Sequence, residues 1–375
     1  MPPAQRHPTM VDVAERAGVS PSTVSRTLRG LSTVSPEVRV RVEQAARELN
    51  FAVSRQAASL ATGKTGVVAV LTPVLNSWFM GSALDSLGPI LRAAGMDLLI
   101  YVTPDMTERA DFFERLPARR NADALLVFSF DLTEEEGARL DELEIPVIYV
   151  SQHAEGRASV YIDDVAGARQ GTQYLLNLGH RRIAFVKTVG PTGFTFSSNE
   201  RLTGYRQALN EAGIPLDDDL VVTVPSIGDK RIVVEAVGQL LSRRQPPTAI
   251  FAEQDNAGVA VLWTLRKSRI DVPERISVLG FDDHEIARWS ELSTIAQSPA
   301  DIGRAAGELA RSLVNDPDAD QGQHIVLPTR LILRSSTAPL PREENVYRSG
   351  TDPLDADSPR HTDDGSWRFV GESGE

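Results

Sequence analysis

From Gly66 onward the chain alternates short, near-continuous apolar runs with longer stretches in which apolar positions recur every three or four residues. The runs Val67–Thr72, Leu98–Thr103, Ala124–Phe130, Val147–Ser151, Tyr161–Asp163, Arg182–Lys187, Val221–Pro225, Ala249–Glu253, Ser277–Phe281 and Thr294–Gln297 read as strands. Between most of them lie helical patterns, among them Ala83–Ala94, Val165–Leu178 and Asn199–Ala212. Strands apolar on both faces and separated by amphipathic helices belong to parallel sheets covered on both sides. Ten such strands exceed one ordinary sheet, so the pattern predicts two α/β lobes. Open α/β sheets bind ligands at the carboxyl ends of their strands. Two facing lobes put that site in the cleft between them.

The first 50 residues follow another pattern. Thr9-Met10-Val11-Asp12 is a capping box, a Thr N-cap with an acid three residues on. The helix it starts runs to about Ala17, and Gly18 supplies a turn. Ser20-Pro21 is a second start signal, because Ser caps and Pro at the first helical position loses no needed N–H. That helix runs from Pro21 to about Leu28 and is closed by Gly30. Ser35-Pro36-Glu37 repeats the signal for a third helix, with Val38, Val42, Ala45, Ala46 and Leu49 at helical spacing. Two short helices joined at a Gly turn, then a third, match the helix-turn-helix plan. Its second helix presents Ser22, Thr23, Ser25 and Arg26 to the major groove, and Arg26 suits a bidentate bond to guanine. Spacing alone fits a plain helical bundle with solvated arginines equally well.

Charge separates the two regions. The 375 residues carry a net charge of -12, which excludes a bulk nucleic-acid coater or a basic membrane-surface protein. Residues 1–64 nonetheless hold nine bases and five acids, a net +4, while the rest is strongly acidic. There is no cysteine, so no disulfide or thiolate site. No apolar leader and no run of membrane-spanning length appears, which predicts a cytoplasmic protein that does not engage membranes. The tail from residue 341 is rich in Pro, Gly, Ser and acids without periodicity and reads as a disordered acidic end. Its Trp367-Arg368-Phe369-Val370 suits either a docking motif or a plain loose terminus.

The residues VDVAERAGVSPSTVSRTLRG, followed by VSPEVRVRVEQAARELNF, closely resemble the head of the LacI/GalR family of bacterial transcriptional regulators. The resemblance implies a DNA-binding domain over 1–52, with Thr9, Ser20, Pro21, Ser22, Thr23, Ser25, Arg26, Ser35 and Asn50 at or near the DNA. It implies a hinge over 53–65, where a short helix orders on DNA and a leucine, here Leu60, enters the minor groove and bends the duplex. Ala57 is small, as two closely approaching hinge helices require. Ser54 can cap the hinge helix. The hinge departs from the family: Val53 stands where Pro is usual, Ser54 where Asn is usual and Ala58 where Arg is common, leaving Arg55 as the candidate substitute. The competing reading of Leu60 is a packed linker residue. Gly63-Lys64-Thr65 is not a phosphate loop: position 58 is Ala and the segment precedes a strand.

LNLGHRRIAFV, SSNERLTGYRQAL and SVLGFDDHEIAR resemble the same family's effector-binding core, which is similar to type I periplasmic sugar-binding proteins. That implies a two-lobed effector-binding and dimerisation core over 66–340. Arg201 matches a family arginine that binds effector hydroxyls or carboxylates. Asp282 matches a carboxylate that accepts sugar hydroxyls, and a guanidinium fork beside a carboxylate suits a polyhydroxylated ligand. Asn76, Trp78 and Phe79 follow the first strand, where the family has an aromatic or apolar wall. Ser129 and Asp163 end later strands, and Gln254 stands where Asn is usual. Lys230 stands where relatives often stack an aromatic, so Trp78 or Trp289 becomes the candidate replacement, or the effector carries negative charge. The alternative for Arg201 and Asp282 is a structural ion pair.

Nothing supports catalysis. No HExxH, Gly-x-Ser-x-Gly or Gly-x-Gly-x-x-Gly occurs, and His180 before a strand reads as structural. The expectation is a non-enzymatic, cofactor-free, effector-controlled repressor. Its predicted partners are double-stranded pseudo-palindromic operator DNA, with which it joins the nucleoid, a sugar-like effector and a second copy of itself. The tail lacks apolar heptads, which predicts a dimer rather than a tetramer. An activator or corepressor-dependent regulator of the same fold remains the alternative. A solute-binding protein is disfavoured by the head.

Overall fold

The computed structural model describes residues 8–28, 33–51, 63–189, 196–225, 230–316 and 318–340, with the backbone of 360–361 and 367–368. The chain divides into two compact units, Met1–Ala338 and Pro339–Glu375. In the second, Arg360–His361 pairs antiparallel with Trp367–Arg368. The rest of the tail, and with it the expected disorder, lies outside the described residues.

The head is three helices, α1 (Met10–Ala17), α2 (Pro21–Leu28) and α3 (Pro36–Glu48). Local signals set their starts. Thr9 and Asp12 form the complete capping box, and Ser35 accepts from Val38 N at 3.5 Å. Gly18 closes α1 at φ 64, a left-handed conformation that glycine adopts without penalty. Val13, Ala14, Ala17, Val24, Val42, Ala45 and Ala46 form one small core. Arg16 on α1 grips Glu48 on α3 through two bonds of 2.8 and 2.5 Å. Gly30 and hinge residues 53–62, including Ser54, Arg55, Ala57 and Leu60, lie outside the described residues.

Among the described residues of the core, two six-stranded sheets form two lobes. The first contains β1 (Val67–Thr72), β2 (Asp97–Val102), β3 (Ala124–Phe128), β4 (Val147–Val150) and β5 (Ser159–Ile162). It runs with α4 (Trp78–Ala93), α5 (Met106–Arg115) and α6 (Glu134–Asp141). The second lobe contains α7 (Asp164–Asn177), β6 (Ile183–Val189), α8 (Phe196–Glu211), β7 (Val221–Pro225) and α9 (Lys230–Leu241). It continues through β8 (Ala249–Ala252), α10 (Asp255–Lys267), β9 (Ser277–Asp282), α11 (Glu285–Trp289) and β10 (Ser293–Ala296). The chain then returns: α12 (Pro299–Asn315) packs on α4, and β11 (His324–Leu327) joins β5. β12 (Arg330–Ile332) goes back to pair with β10. Three segments therefore cross between the lobes, after β5, after β10 and between β11 and β12.

The strand orders are β11-β5-β4-β3-β1-β2 and β12-β10-β9-β8-β6-β7. The pairings in these two sheets are parallel, as expected, except the edge pair β10 with β12, which is antiparallel. The ten expected strands appear with ends within two residues of the apolar runs. β11 and β12 were not expected. Their residues are exposed or half-buried, so they lack the apolar run that marks a strand covered on both faces. α4 starts earlier than its apolar pattern because Ser77 caps it, accepting from Met80 N at 3.1 Å.

α7 and α8 pack in direct backbone contact. A Cβ on Gly204 of α8 would collide with Val165 O, and with Arg169 N at 2.9 Å. Only glycine lets these helices approach so closely, and their approach brings the second lobe's polar cluster together.

Candidate functional site

The head exposes the groups expected to meet DNA. Pro21, Ser22 and Arg26 on α2 are exposed, while Val24 is buried on the opposite side. Ser20 Oγ lies 2.9 Å from both Ser22 Oγ and Thr23 Oγ1 and accepts from Thr23 N at 3.2 Å. Arg26 folds back one turn, donating from Nε to Ser22 O at 3.3 Å and from Nη2 to Ser22 Oγ at 3.4 Å. Both bonds are long, so the guanidinium can leave them for a base edge at small cost. Thr9 and Ser35 spend their hydroxyls as helix caps, and Asn50 takes φ 50 in the turn after α3. These three position the helices.

The second lobe holds a buried polar cluster at the carboxyl ends of its strands. Arg201 lies on the face of α8 that also carries Ser198, Tyr205 and Ala208, and it is 5% exposed. Its Nε donates to Asp164 Oδ1 at 2.7 Å, and its Nη1 to Glu253 O at 2.5 Å and Asp282 Oδ1 at 3.4 Å. The guanidinium carbon stands 3.7 Å above the Phe281 ring centre, a cation–π contact. Asp282 also accepts from Gln297 Nε2 at 2.7 Å. Asp282 and Asp283, at φ 120 and 57, are both in backbone conformations that disfavour residues with a Cβ. Such strain concentrates at functional sites. It turns Asp282 to Arg201 and Asp283 to Arg334, 2.5 Å away.

Four carboxyls gather in this cluster, of which Asp164 and Asp282 bond the Arg201 guanidinium. Burial raises Asp282 to about 6, opposed by Arg201 and Gln297. Burial, reinforced by the charge of Asp282, raises Asp255 to about 8 although Thr294 and His284 donate to it. Burial likewise raises Asp164 and Glu253. Gly280 makes room for Asp255, because a Cβ there would strike its carboxylate.

The remaining expected residues scatter around the cleft. Trp78, at the start of α4, packs its ring 4.9 Å from His284 of the other lobe. Phe79 packs against the main core, Asn76 is exposed and Ser129 is half-buried at φ 53. Asp163 is exposed and caps α7, accepting from Ala166 N at 2.8 Å. It is Asp164, next along, that reaches Arg201. Helical spacing marks Asp164, which shares α7's buried face with Gly167, Ala168 and Gly171. Gln254 takes the capping position of α10 without bonding there. Lys230 starts α9, but its side chain lies outside the described residues. Trp289 is 87% exposed, which leaves Trp78 as the better placed of the two candidate aromatics. The sequence reading also missed Glu253 and a second link across the lobes. His153 Nε2 lies 3.8 Å from Glu200 Oε2, and the His153 ring meets Phe196 edge-on at 5.2 Å. His180 is a buried structural residue, bonded to Thr248, Ser277 and Ala338 O.

Residues 9–54 match the family model "Bacterial regulatory proteins, lacI family", and residues 172–337 match "Periplasmic binding protein-like domain". The chain is 34% identical to the HTH-type transcriptional regulator CelR of Thermobifida fusca over 350 residues, covering 88% of this chain and 99% of CelR. The chain belongs to the LacI family. This LacI-family regulator is also 32% identical to the HTH-type transcriptional regulator DegA of Bacillus subtilis (strain 168), across 88% of this chain and 98% of DegA. A solved CelR–cellobiose complex aligns with a TM-score of 0.64 at 30% identity, over 88% of this chain and 99% of that one. The lac repressor dimer bound to operator and the anti-inducer ONPF shares the fold, with a TM-score of 0.77 at 23% identity over 89% and 100% of the two chains. The protein is therefore a DNA-binding transcriptional regulator with a helix-turn-helix head and a two-lobed periplasmic-binding-protein-like core. Among the described residues no helix is long and apolar enough to cross a membrane.

Proposed function

We propose that this regulator is a cytoplasmic homodimeric repressor of a pseudo-palindromic operator, released by a sugar-like effector bound between its lobes. The observation that carries the effector site is the buried Arg201–Asp282 pair at the carboxyl ends of the second lobe's strands. A guanidinium supplies only donors and a carboxylate only acceptors, so together they suit a hydroxyl-rich ligand. The CelR–cellobiose complex gives the sugar reading support from a relative.

On DNA, α2 enters the major groove and Ser22, Ser25 and Arg26 read base edges, with Arg26 suited to guanine. Arg55 meets the duplex near the hinge and Leu60 wedges the minor groove. A dimer places two heads on two half-sites, because operator symmetry mirrors protein symmetry. Effector closure changes the lobe contacts Trp78–His284 and His153–Phe196 and hence the spacing of the hinges. A coupling of about 1–3 kcal/mol is the usual scale for such control.

Selection of bound DNA from a random pool, with and without a sugar that raises the melting temperature, tests the proposal. A two-fold symmetric consensus lost on adding that sugar supports it. A consensus that strengthens with the sugar makes the ligand a corepressor. Reporter expression that falls on deleting the gene makes the protein an activator.

A further inference from the structure

Among the described residues, two buried acceptors near Arg201 have no hydrogen-bond partner: Glu253 Oε2 and Gln297 Oε1. Folded proteins pair nearly all such atoms. Glu253 is 1% exposed. Among the described residues its donors all go to Oε1, from Thr188 N at 2.7 Å, from Thr188 Oγ1 and from Ser198 Oγ at 2.6 Å. Gln297 cannot relieve its orphan by flipping its amide. Its Nε2 donates to Asp282 Oδ1 at 2.7 Å, and the flip would turn an oxygen to that carboxylate. Both residues belong to the Arg201 cluster, Glu253 through its backbone oxygen and Gln297 through Asp282.

The charge balance points the same way. Arg201 already faces Asp164 and Asp282. An anionic ligand here meets the carboxyls of Asp164, Glu253 and Asp282, while Arg201 already spends Nε and Nη1 on Asp164, Glu253 O and Asp282. Among the described residues, Glu253 Oε2 and Gln297 Oε1 are the acceptors here that lack a donor. We infer that Glu253 and Gln297 accept hydrogen bonds from the effector and select a neutral or amino-bearing sugar against a phosphorylated or carboxylated one. The inference rests on the cleft being the effector site, and it opposes the anionic ligand that Lys230 suggests in the sequence.

The test is calorimetric titration of the full-length protein with cellobiose and with glucose, glucosamine, glucose 6-phosphate and glucuronate. The last four share one ring and differ in charge. Neutral or amino sugars are expected to bind at least about 10-fold more tightly than the anionic pair, the scale of one hydrogen bond to a charged group. E253Q keeps an acceptor for Thr188 and Ser198 but puts an amide nitrogen where Oε2 stands, so it should shrink that preference about 10-fold. Equal weakening of every ligand by E253Q means that Glu253 only anchors α8 to β6 and overturns the inference. Tighter binding of the anionic pair to the unmodified protein overturns it without any variant. Absence of binding by every sugar removes the effector-site reading and this inference with it.

Discussion

Replacing Arg201 with methionine tests the electrostatics of the buried cluster. Methionine keeps much of the apolar bulk over Phe281 and removes the guanidinium from Asp164 and Asp282. Breaking a buried ion pair from one side typically costs about 3–5 kcal/mol, because the remaining charge is uncompensated. Here the cost should depend on pH. A carboxyl raised above its unfolded value of 3.8 favours the fold while it stays protonated. That contribution is complete below 3.8 and is lost as pH rises through the folded value. For Asp282 the window closes near 6 in the native protein, where Arg201 restrains the rise. Without Arg201 the folded value climbs further, and the loss continues above pH 6. Each further pH unit costs about 1.4 kcal/mol for a carboxyl that remains protonated. The variant's deficit should therefore grow by up to about 2.7 kcal/mol for Asp282 between pH 6 and 8, with Asp164 acting in the same direction. Urea unfolding of variant and parent, followed by tryptophan fluorescence at pH 5, 6 and 8, gives the difference directly. A deficit identical at pH 6 and 8 refutes the reasoning.

Three further outcomes are expected. Arg26→Ala should relax base preference at one operator position, at about 1–3 kcal/mol of discrimination, and unchanged selected-site profiles count against base reading. Leu60→Ala should weaken operator binding far more than binding to unrelated DNA; equal losses in a gel-shift series make Leu60 a packing residue. Gly204→Ala sets a Cβ against Val165 O and Arg169 N, backbone atoms that cannot step aside. It should destabilise the core by about 1–3 kcal/mol or more, and an unchanged melting temperature excludes that close approach.

The sequence read the head well because its signals are local. Thr9 with Asp12 and Ser35 with Val38 each act across three residues. The ten apolar strands were legible because burial on both faces demands continuous apolar runs. The cluster was half legible. Arg201 and Asp282 stood out through the family resemblance, and the structure brings them within 3.4 Å. Asp164 was passed over for Asp163, although its position on α7's buried face was available. Glu253 gave only a weak sign, an acid directly after the apolar run of β8.

The amino-acid sequence by itself determined the caps, the helix faces and the strand cores, since each depends on residues a few positions apart. Only the tertiary structure decided what those elements assemble. It returned β11 to β5 from 165 residues later in the chain, against strand patterns too polar to announce themselves. It gathered four carboxyls and one guanidinium by drawing on α7, α8, α10, β9 and the end of β8. Burial and charge at that point depend on neighbours distant in sequence, and local periodicity carries no record of them.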